Sequence, residues 1–251
     1  MPSSGAPEAG AFQVWWSVFL MRMATLREFW YWQVVGWLLF PLGIAFFFKM
    51  AMAGDPGAAV YVVTGNVVMG LVINTVQMVA TDLAWARQRN DLDFFATLPV
   101  SRLQLVMAFV AVAALASVPA ALINLQAAAW VLEVTLTWHP VLPLIVILSV
   151  LSMAGIGVMI GVTARSGTHA NLVYNVLMLV VMFLSPVLVP AERLPAVLQY
   201  TAAALPTTYA AHALREAVTS GGAVLRDVAV LAAWAAVSLW LAVSRLEWRR
   251  D

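Results

Sequence analysis

The most constraining feature of the sequence is a series of long apolar stretches that contain few or no charged side chains. A helix needs about 20 mostly apolar residues to cross a bilayer. Five stretches reach this length, namely 33–52, 58–80, 103–132, 141–164 and 170–190, and a sixth, 228–244, reaches it with its flanks. The sequence therefore predicts six transmembrane helices, and Pro119 offers a place to bend the overlong third one.

The composition excludes soluble and disulfide-bonded folds. Hydrophobic residues make up 63% of the 251 residues and charged residues 10%, against about 45–50% and about 25% in an ordinary soluble domain. The net charge of +1 provides no field that would attract nucleic acid, and cysteine is absent. We therefore predict an all-α polytopic membrane protein with a single domain, 1–251, and no nucleic-acid partner.

The orientation is predicted from the arginine and lysine residues between the spans, because cytosolic loops carry an excess of them. With a cytosolic N-terminus, nine basic residues fall on the cytosolic side: Arg22, Arg27, Arg87, Arg89, Arg102, Arg165, Arg245, Arg249 and Arg250. Four fall outside: Lys49, Arg193, Arg215 and Arg226. This excess places both termini in the cytosol, and the preference for arginine with alanine-rich spans favours a prokaryotic inner (plasma) membrane.

Residues 12–30 show a helical period that separates an aromatic face from a polar one. The apolar face consists of Phe12, Trp15, Trp16, Phe19, Met23, Leu26 and Trp30. Arg22 and Arg27 fall at the edges of this face, where long side chains can reach lipid headgroups. We predict a helix that lies in the cytosolic interface of the membrane; the alternative is an extended first span packed against protein.

The connection between the second and third spans, residues 81–102, is the most polar part of the chain. Asn90 or Asp91 can cap a short helix, and Pro99 ends it. Leu92, Phe95 and Leu98 are expected to form an exposed apolar ridge framed by charges, which indicates a docking surface. The alternative is a helix that folds back onto the bilayer interface, and the residues alone favour neither.

The same connection resembles that of permeases of type-2 ABC exporters. It has an Arg-rich stretch, a short helix and then Leu98-Pro99-Val100-Ser101-Arg102 at the start of the third span. The second resemblance follows the fifth span: Ser185-Pro186-Val187, Leu194-Pro195, Leu205-Pro206-Thr207-Thr208-Tyr209-Ala210 and His212-Ala213-Leu214-Arg215. One departure is that the family commonly has Glu-Arg and Gly-Thr where this chain has Arg87-Gln88-Arg89 and Asn90-Asp91. The resemblance covers nearly the whole chain.

The resemblance implies a coupling helix at 87–99 that sits in a cleft of a separate ATP-binding subunit. The docking residues would be Arg87, Arg89, Asp91, Leu92, Phe95 and Leu98. A Walker A motif needs a glycine-rich loop and a lysine for the phosphates, and Lys49, the only lysine, stands at the end of a predicted span. The resemblance thus implies two partner ATPases that hold ATP and Mg, a second permease (a copy or a sister chain), surrounding lipids, and no cofactor in this chain.

Polar side chains form stripes within the predicted spans, and such side chains usually face protein or water rather than lipid. Amides also hold helices together without any transport role, an interpretation we favour slightly for Asn74 and Gln77. The resemblance implies that the second and fifth spans line a cavity between two permeases. The candidate pathway residues are Asn66, Asn74, Gln77, Asn171, Asn175, Met178 and Met182. Since these carry no charge and methionine is adaptable, we expect a neutral, amphipathic or lipid-like substrate.

The segment 191–222 is semi-apolar and is interrupted by Pro195 and Pro206. Each piece is too short to span a membrane, which favours re-entrant helices dipping into the outer leaflet, and the resemblance implies the same. Irregular backbone at this depth must be buried in protein or line a cavity. Pro206, Tyr209 and Arg215 are the candidate outer-gate residues.

No catalytic motif is recognisable. The histidines, His139, His169 and His212, are predicted on opposite sides of the membrane, and neither His-Glu-x-x-His nor Gly-x-Ser-x-Gly occurs. We therefore expect no metal site and no enzyme activity in this chain, and we predict the permease subunit of an exporter for a drug, antibiotic, lipid or glycan. The alternatives are a stand-alone intramembrane lipid-modifying enzyme and a non-transporting structural subunit of a membrane complex.

Overall fold

The computed structural model describes residues 11–51, 56–97, 101–184, 196–219 and 224–246. Within these ranges the regular structure is helical and no β-strand occurs. The helices are α1 (Ala11–Ala51), α2 (Pro56–Leu71), α3 (Met78–Gln88), α4 (Asp91–Ala96), α5 (Arg102–Val131), α6 (Leu142–Thr163), α7 (Gly167–Leu184), α8 (Ala196–Ala203), α9 (Pro206–Thr219) and α10 (Leu225–Arg245). A π-helical segment, Val72–Gln77, joins α2 to α3. The prediction of an all-helical fold is therefore confirmed for the residues that the structure describes.

Four helical stretches in the described part of the chain are long and apolar enough to cross a membrane. They are Gly57–Gln88, Arg102–Val131, Leu142–Thr163 and Leu225–Arg245. Two shorter apolar stretches, Val34–Met50 and Gly167–Met182, occupy the positions of the predicted first and fifth spans. The end of the predicted fifth span, 185–190, lies outside the described residues. The number of six transmembrane helices therefore stays a prediction. Four of the six meet the criteria of length and hydropathy.

Residues 12–30 do not form a helix separate from the first apolar stretch. They belong to α1, a continuous helix of 41 residues, which at 1.5 Å per residue is about 60 Å long, roughly twice the thickness of the hydrocarbon core. Trp15 and Val18 pack with residues of α3 and α5, whereas Phe12 and Trp16 remain exposed. The arrangement is the alternative one, in which the first span extends toward the N-terminus and packs against protein.

Among the described residues, the buried apolar side chains form two clusters along the bundle. The first joins α2, the π-helical segment, α6 and α9, with Val63, Leu71, Ile145 and Leu214 among its fully buried members. The second, which we call the α4-end cluster, consists of Val18, Val79, Leu83, Ala86, Leu92, Phe95, Leu105, Val106, Ala108, Phe109, Val110, Ala113, Ala154, Val158, Val162, Ala242 and Leu246. It brings α1, α3, α4, α5, α6 and α10 together at one end of the molecule.

Two glycine residues let α6 pack closely against the helical stretch Gly57–Gln88, which contains the predicted second span. If Gly157 carried a side chain, its Cβ atom would lie 2.9 Å from the carbonyl oxygen of Val76. A Cβ atom at Gly161 would lie 2.9 Å from the carbonyl oxygen of Ala80. Real Cβ atoms do not come this close to backbone, so only glycine fits. This close contact holds the π-helical segment and α3 rigidly against α6.

Two short helices, α8 and α9, occupy the described part of the predicted outer segment 191–222. They have eight and 14 residues, which is too short to cross a bilayer. Residues 191–195 and 220–222 lie outside the described ranges. The break that was expected at Pro206 is present, because α9 begins at this residue.

Candidate functional site

The short helix α4 is positioned by a turn at each of its ends. Asn90, between α3 and α4, has φ 60°, in the left-handed region that asparagine tolerates better than most residues. Its side chain forms no capping hydrogen bond, so the residue contributes a backbone turn rather than the predicted cap. After α4, Ser101 and Gln104 form a reciprocal capping box that starts α5. The backbone turn at Asn90 thus fixes where α4 begins, and the capping box at Ser101 fixes where the next helix begins.

Leu92 and Phe95 form the buried face of α4. They are 5% and 4% exposed and belong to the α4-end cluster. The predicted exposed ridge is therefore wrong for these two residues, and Leu98 lies outside the described residues. The physical reason is that positions i and i+3 share one face of a helix, and burial of each large apolar side chain stabilises the fold by about 1.5–3 kcal/mol.

The opposite side of α4 faces away from the bundle, and we call it the outer face of α4. It consists of Asp91, Asp93 and Phe94 together with Arg89, which immediately follows α3, and Phe94 is 56% exposed. Arg89 and Asp91 form an exposed ion pair with an N–O distance of 3.1 Å, which adds little stability. An exposed aromatic ring framed by charges is typical of a protein contact. Phe94 was not among the predicted docking residues. The helical period nevertheless places it on the side of α4 that faces away from Leu92 and Phe95, so its exposure could have been predicted from the sequence.

Arg87, also predicted to dock, has an internal partner instead. Its guanidinium donates a hydrogen bond from Nη1 to the carbonyl oxygen of Val162 at the end of α6. Nearby, the backbone N–H of Gly167 donates to Oε1 of Gln88 at 3.2 Å, and a Cβ at Gly167 would overlap the ring of Trp85. These contacts tie the end of α3 to the turn between α6 and α7.

Arg22 and Asp82 form an ion pair between α1 and α3, close to the same end of the bundle. Nη2 of Arg22 lies 2.7 Å from Oδ2 of Asp82, and the guanidinium carbon lies 4.2 Å from the ring centroid of Phe109 on α5. Arg22 is 9% exposed. The prediction that Arg22 reaches lipid headgroups is therefore wrong, because a carboxylate and an aromatic ring offer it closer partners within the protein.

Several candidate pathway residues in the second apolar stretch lie inside the protein. Asn66 is 1% exposed and donates from Nδ2 to the carbonyl oxygen of Pro41 in α1, at 2.6 Å. Asn74 is 6% exposed, and Gln77 donates from Nε2 to Oδ1 of Asn171 on α7, at 3.1 Å. These contacts are of the kind by which amide side chains hold membrane helices together.

The remaining pathway candidates lie on α7. Asn175 is exposed, Met182 is 52% exposed, and Met178 is half-buried against the first cluster. The exposed face of α7 also contains Leu172, Val176 and Leu179. An amide group is costly to place against lipid at membrane depth. The face therefore suits contact with protein or with a water-filled space.

The three predicted outer-gate residues all lie in α9. Pro206 is buried at the first position of α9, and the Tyr209 hydroxyl donates to the carbonyl oxygen of Ala203 at 2.8 Å. The guanidinium carbon of Arg215 lies 3.5 Å from the ring centroid of Tyr61 on α2. The structure thus places Tyr209 at a contact of α9 with α8, and Arg215 at a contact with α2.

Within the described ranges, no three histidine, aspartate or glutamate side chains are grouped so that they could hold a metal ion. A family model described as "ABC-2 type transporter" matches residues 11–219, which include every helix from α1 to α9. No curated protein matches the chain.

Proposed function

The chain belongs to the ABC-2 type transporter family as a membrane-spanning permease, and from this premise we propose that it exports an amphipathic or hydrophobic substrate, driven by separate ATP-binding subunits. Two such subunits would bind ATP and Mg and would dock on the outer face of α4. A second permease, either a copy or a sister chain, would complete the pathway. We place six spans in a prokaryotic inner membrane with both termini in the cytosol.

The observation that carries this proposal is the two-sided environment of α4. Asp93 and Phe94 face away from the bundle, whereas Leu92 and Phe95 are buried in the α4-end cluster. Protein interiors are close-packed and yield little to compression. A push on the exposed side of α4 would therefore move α3 and α5 rather than deform the contact.

The Arg22–Asp82 ion pair extends this connection to the first helix. The pair links α1 to α3 through an N–O distance of 2.7 Å. The Arg22 guanidinium also contacts the ring of Phe109, which belongs to the same cluster as Phe95. In the proposed cycle, ATP binding closes the two ATPase subunits on each other, and α4 follows their movement. Helices α1, α3 and α5 then shift together, which opens the pathway toward the outside.

The exposed face of α7 is the proposed contribution of this chain to the pathway. The face carries Asn175 and Met182 among aliphatic side chains and shows no formal charge in its described part. A site of this kind favours an amphipathic or hydrophobic drug, antibiotic, lipid or glycan over highly charged solutes. Methionine side chains adapt to apolar ligands of different shapes.

The deciding experiment is purification of the tagged chain from its host in a mild detergent, followed by an ATPase assay. We expect a near-equal amount of a subunit with a Walker A motif, and ATP hydrolysis that candidate substrates stimulate. If the chain purifies alone or only with itself, and no ATPase activity accompanies it, the proposal is wrong.

A further inference from the structure

A cleft lies between the C-terminal ends of α1 and α5, far from α4. It has a volume of about 700 Å³, and its lining includes Phe46, Lys49, Gln126, Trp130, Glu133 and Thr135. Helix α5 begins next to α4 and has 30 residues, so its two ends are about 45 Å apart. The cleft therefore lies near the opposite surface of the membrane, which is the outer one if the proposed function is correct.

Two opposite charges stand side by side at the mouth of this cleft. Nζ of Lys49 donates to Oε1 of Glu133 at 2.8 Å, and the two side chains are 45% and 79% exposed. Lys49 lowers the pKa of Glu133, so this carboxylate is charged at neutral pH. An ammonium has three donors and a carboxylate has about four acceptor positions. Both groups therefore keep the capacity to bind a ligand.

The backbone adopts an unusual conformation at Glu133. Glu133 has φ 57°, in the left-handed region, just after the end of α5. The next backbone N–H, that of Val134, donates to the carbonyl oxygen of Ala129 at 2.9 Å. Helices that end in this way usually have glycine or asparagine at the left-handed position. A glutamate there is conformationally unfavourable, so local backbone preference does not explain its presence.

An exposed aromatic side chain lies one helical turn before each of the two charges. Phe46 precedes Lys49 by three residues and is 60% exposed, and Trp130 precedes Glu133 by three residues and is 80% exposed. Both charges thus lie at the helix ends, with aromatic rings beneath them toward the middle of the membrane. Tryptophan is typical of the headgroup level of a bilayer.

We propose that this cleft binds a zwitterionic phospholipid, with the lipid phosphate at Lys49, its ammonium at Glu133, and its glycerol and upper acyl region against Phe46 and Trp130. The charge pattern decides between lipids. An anionic headgroup satisfies Lys49 but is repelled by Glu133, whereas a zwitterionic headgroup is complementary to both. Free phosphate would leave the aromatic side chains without a partner.

Native mass spectrometry of the purified full-length chain in mild detergent tests this proposal. The probes are phosphatidylethanolamine and phosphatidylglycerol with identical acyl chains. We expect one phosphatidylethanolamine to bind, and Lys49→Gln and Glu133→Gln each to weaken this binding about tenfold, the usual effect of losing a charge-assisted hydrogen bond. Arg226→Gln is the matched control, because Arg226 is also an exposed cation, on α10, and this change should leave lipid binding unaltered.

Three outcomes would overturn the proposal: no lipid bound above background, equal binding of the two lipids, or wild-type binding by both cleft variants. A second copy of the chain is the competing occupant. Because the chain has no cysteine, Thr135→Cys introduces a single one, and efficient disulfide formation between two copies would show that protein covers the cleft. Lipid binding is measured on this chain alone, so a failed ATPase co-purification would contradict only the proposed function.

Discussion

Phe94 and Phe95 are adjacent in α4, with ring centroids 5.9 Å apart and ring planes inclined by 60°, but their environments are opposite. Phe94 is 56% exposed, whereas Phe95 is 4% exposed within the α4-end cluster. The pair therefore separates two properties that the proposed docking role requires of α4. One residue is available to a partner, and its neighbour holds the helix to the bundle.

Replacing Phe94 by alanine should uncouple the ATPase without unfolding the permease. A side chain that is mostly exposed contributes little to the fold, so the stability should change by no more than about 0.5 kcal/mol. Co-purification of the ATPase subunit and substrate-stimulated hydrolysis should both fall. Normal co-purification and hydrolysis in the Phe94→Ala complex would show that the ATPase contacts another surface.

Replacing Phe95 by alanine is the matched change on the buried side. Loss of a buried phenyl ring typically costs about 3–5 kcal/mol, because it removes apolar contacts and leaves a cavity. We expect a lower midpoint of thermal unfolding in detergent and a smaller yield of folded protein. If Phe95→Ala is as stable as the wild type while Phe94→Ala is not, the orientation of α4 is the reverse of the one described.

The Arg22–Asp82 pair should behave as a coupled unit in a double-mutant cycle. Arg22→Gln removes one partner of a partly buried charge-assisted hydrogen bond, and we expect a loss of about 1 kcal/mol or somewhat more. Asp82→Asn should cost a similar amount, and the double variant should cost clearly less than the sum of the two. The measurement is thermal unfolding of the four proteins; additive losses would mean that the two side chains do not interact.

The helices could be predicted from the sequence because apolar stretches of about 20 residues leave few alternatives. The orientation of α4 could not be predicted in the same way. Leu92 and Phe95 clearly share a face, but periodicity does not say whether that face contacts the bundle or a partner. The pairing of Arg22 with Asp82 also escaped prediction, because it joins residues 60 positions apart in sequence.

The polar stripes show the same limit of sequence reasoning. The helical period groups Asn66, Asn74 and Gln77 on one face, but the packing buries Asn66 and Asn74. It also gives Asn66 and Gln77 partners on different helices, α1 and α7. Similarly, the exposure of Asn175 on α7 depends on which helices pack around it. The interior of a bundle is decided by contacts between helices distant in sequence, which a single-helix pattern does not contain.

A negative charge on the exposed face of α7 should change transport before it changes stability. In Asn175→Asp the new carboxylate lies on a face that no other described part of this chain covers, so the thermal midpoint should stay close to that of the wild type. The response of the ATPase to a panel of neutral and cationic amphipathic compounds should shift toward the cations, because the charge attracts them to the pathway.

Asn74→Asp is the matched change at a buried amide, since Asn74 is 6% exposed. A carboxylate there has no solvent to stabilise it, and burial of an uncompensated charge costs several kcal/mol. We therefore expect Asn74→Asp to lower the thermal midpoint or the yield, and Asn175→Asp to leave both unchanged. If Asn175→Asp unfolds the protein and the selectivity of the surviving complex is unaltered, α7 uses this face to hold helices together, and the substrate takes another path.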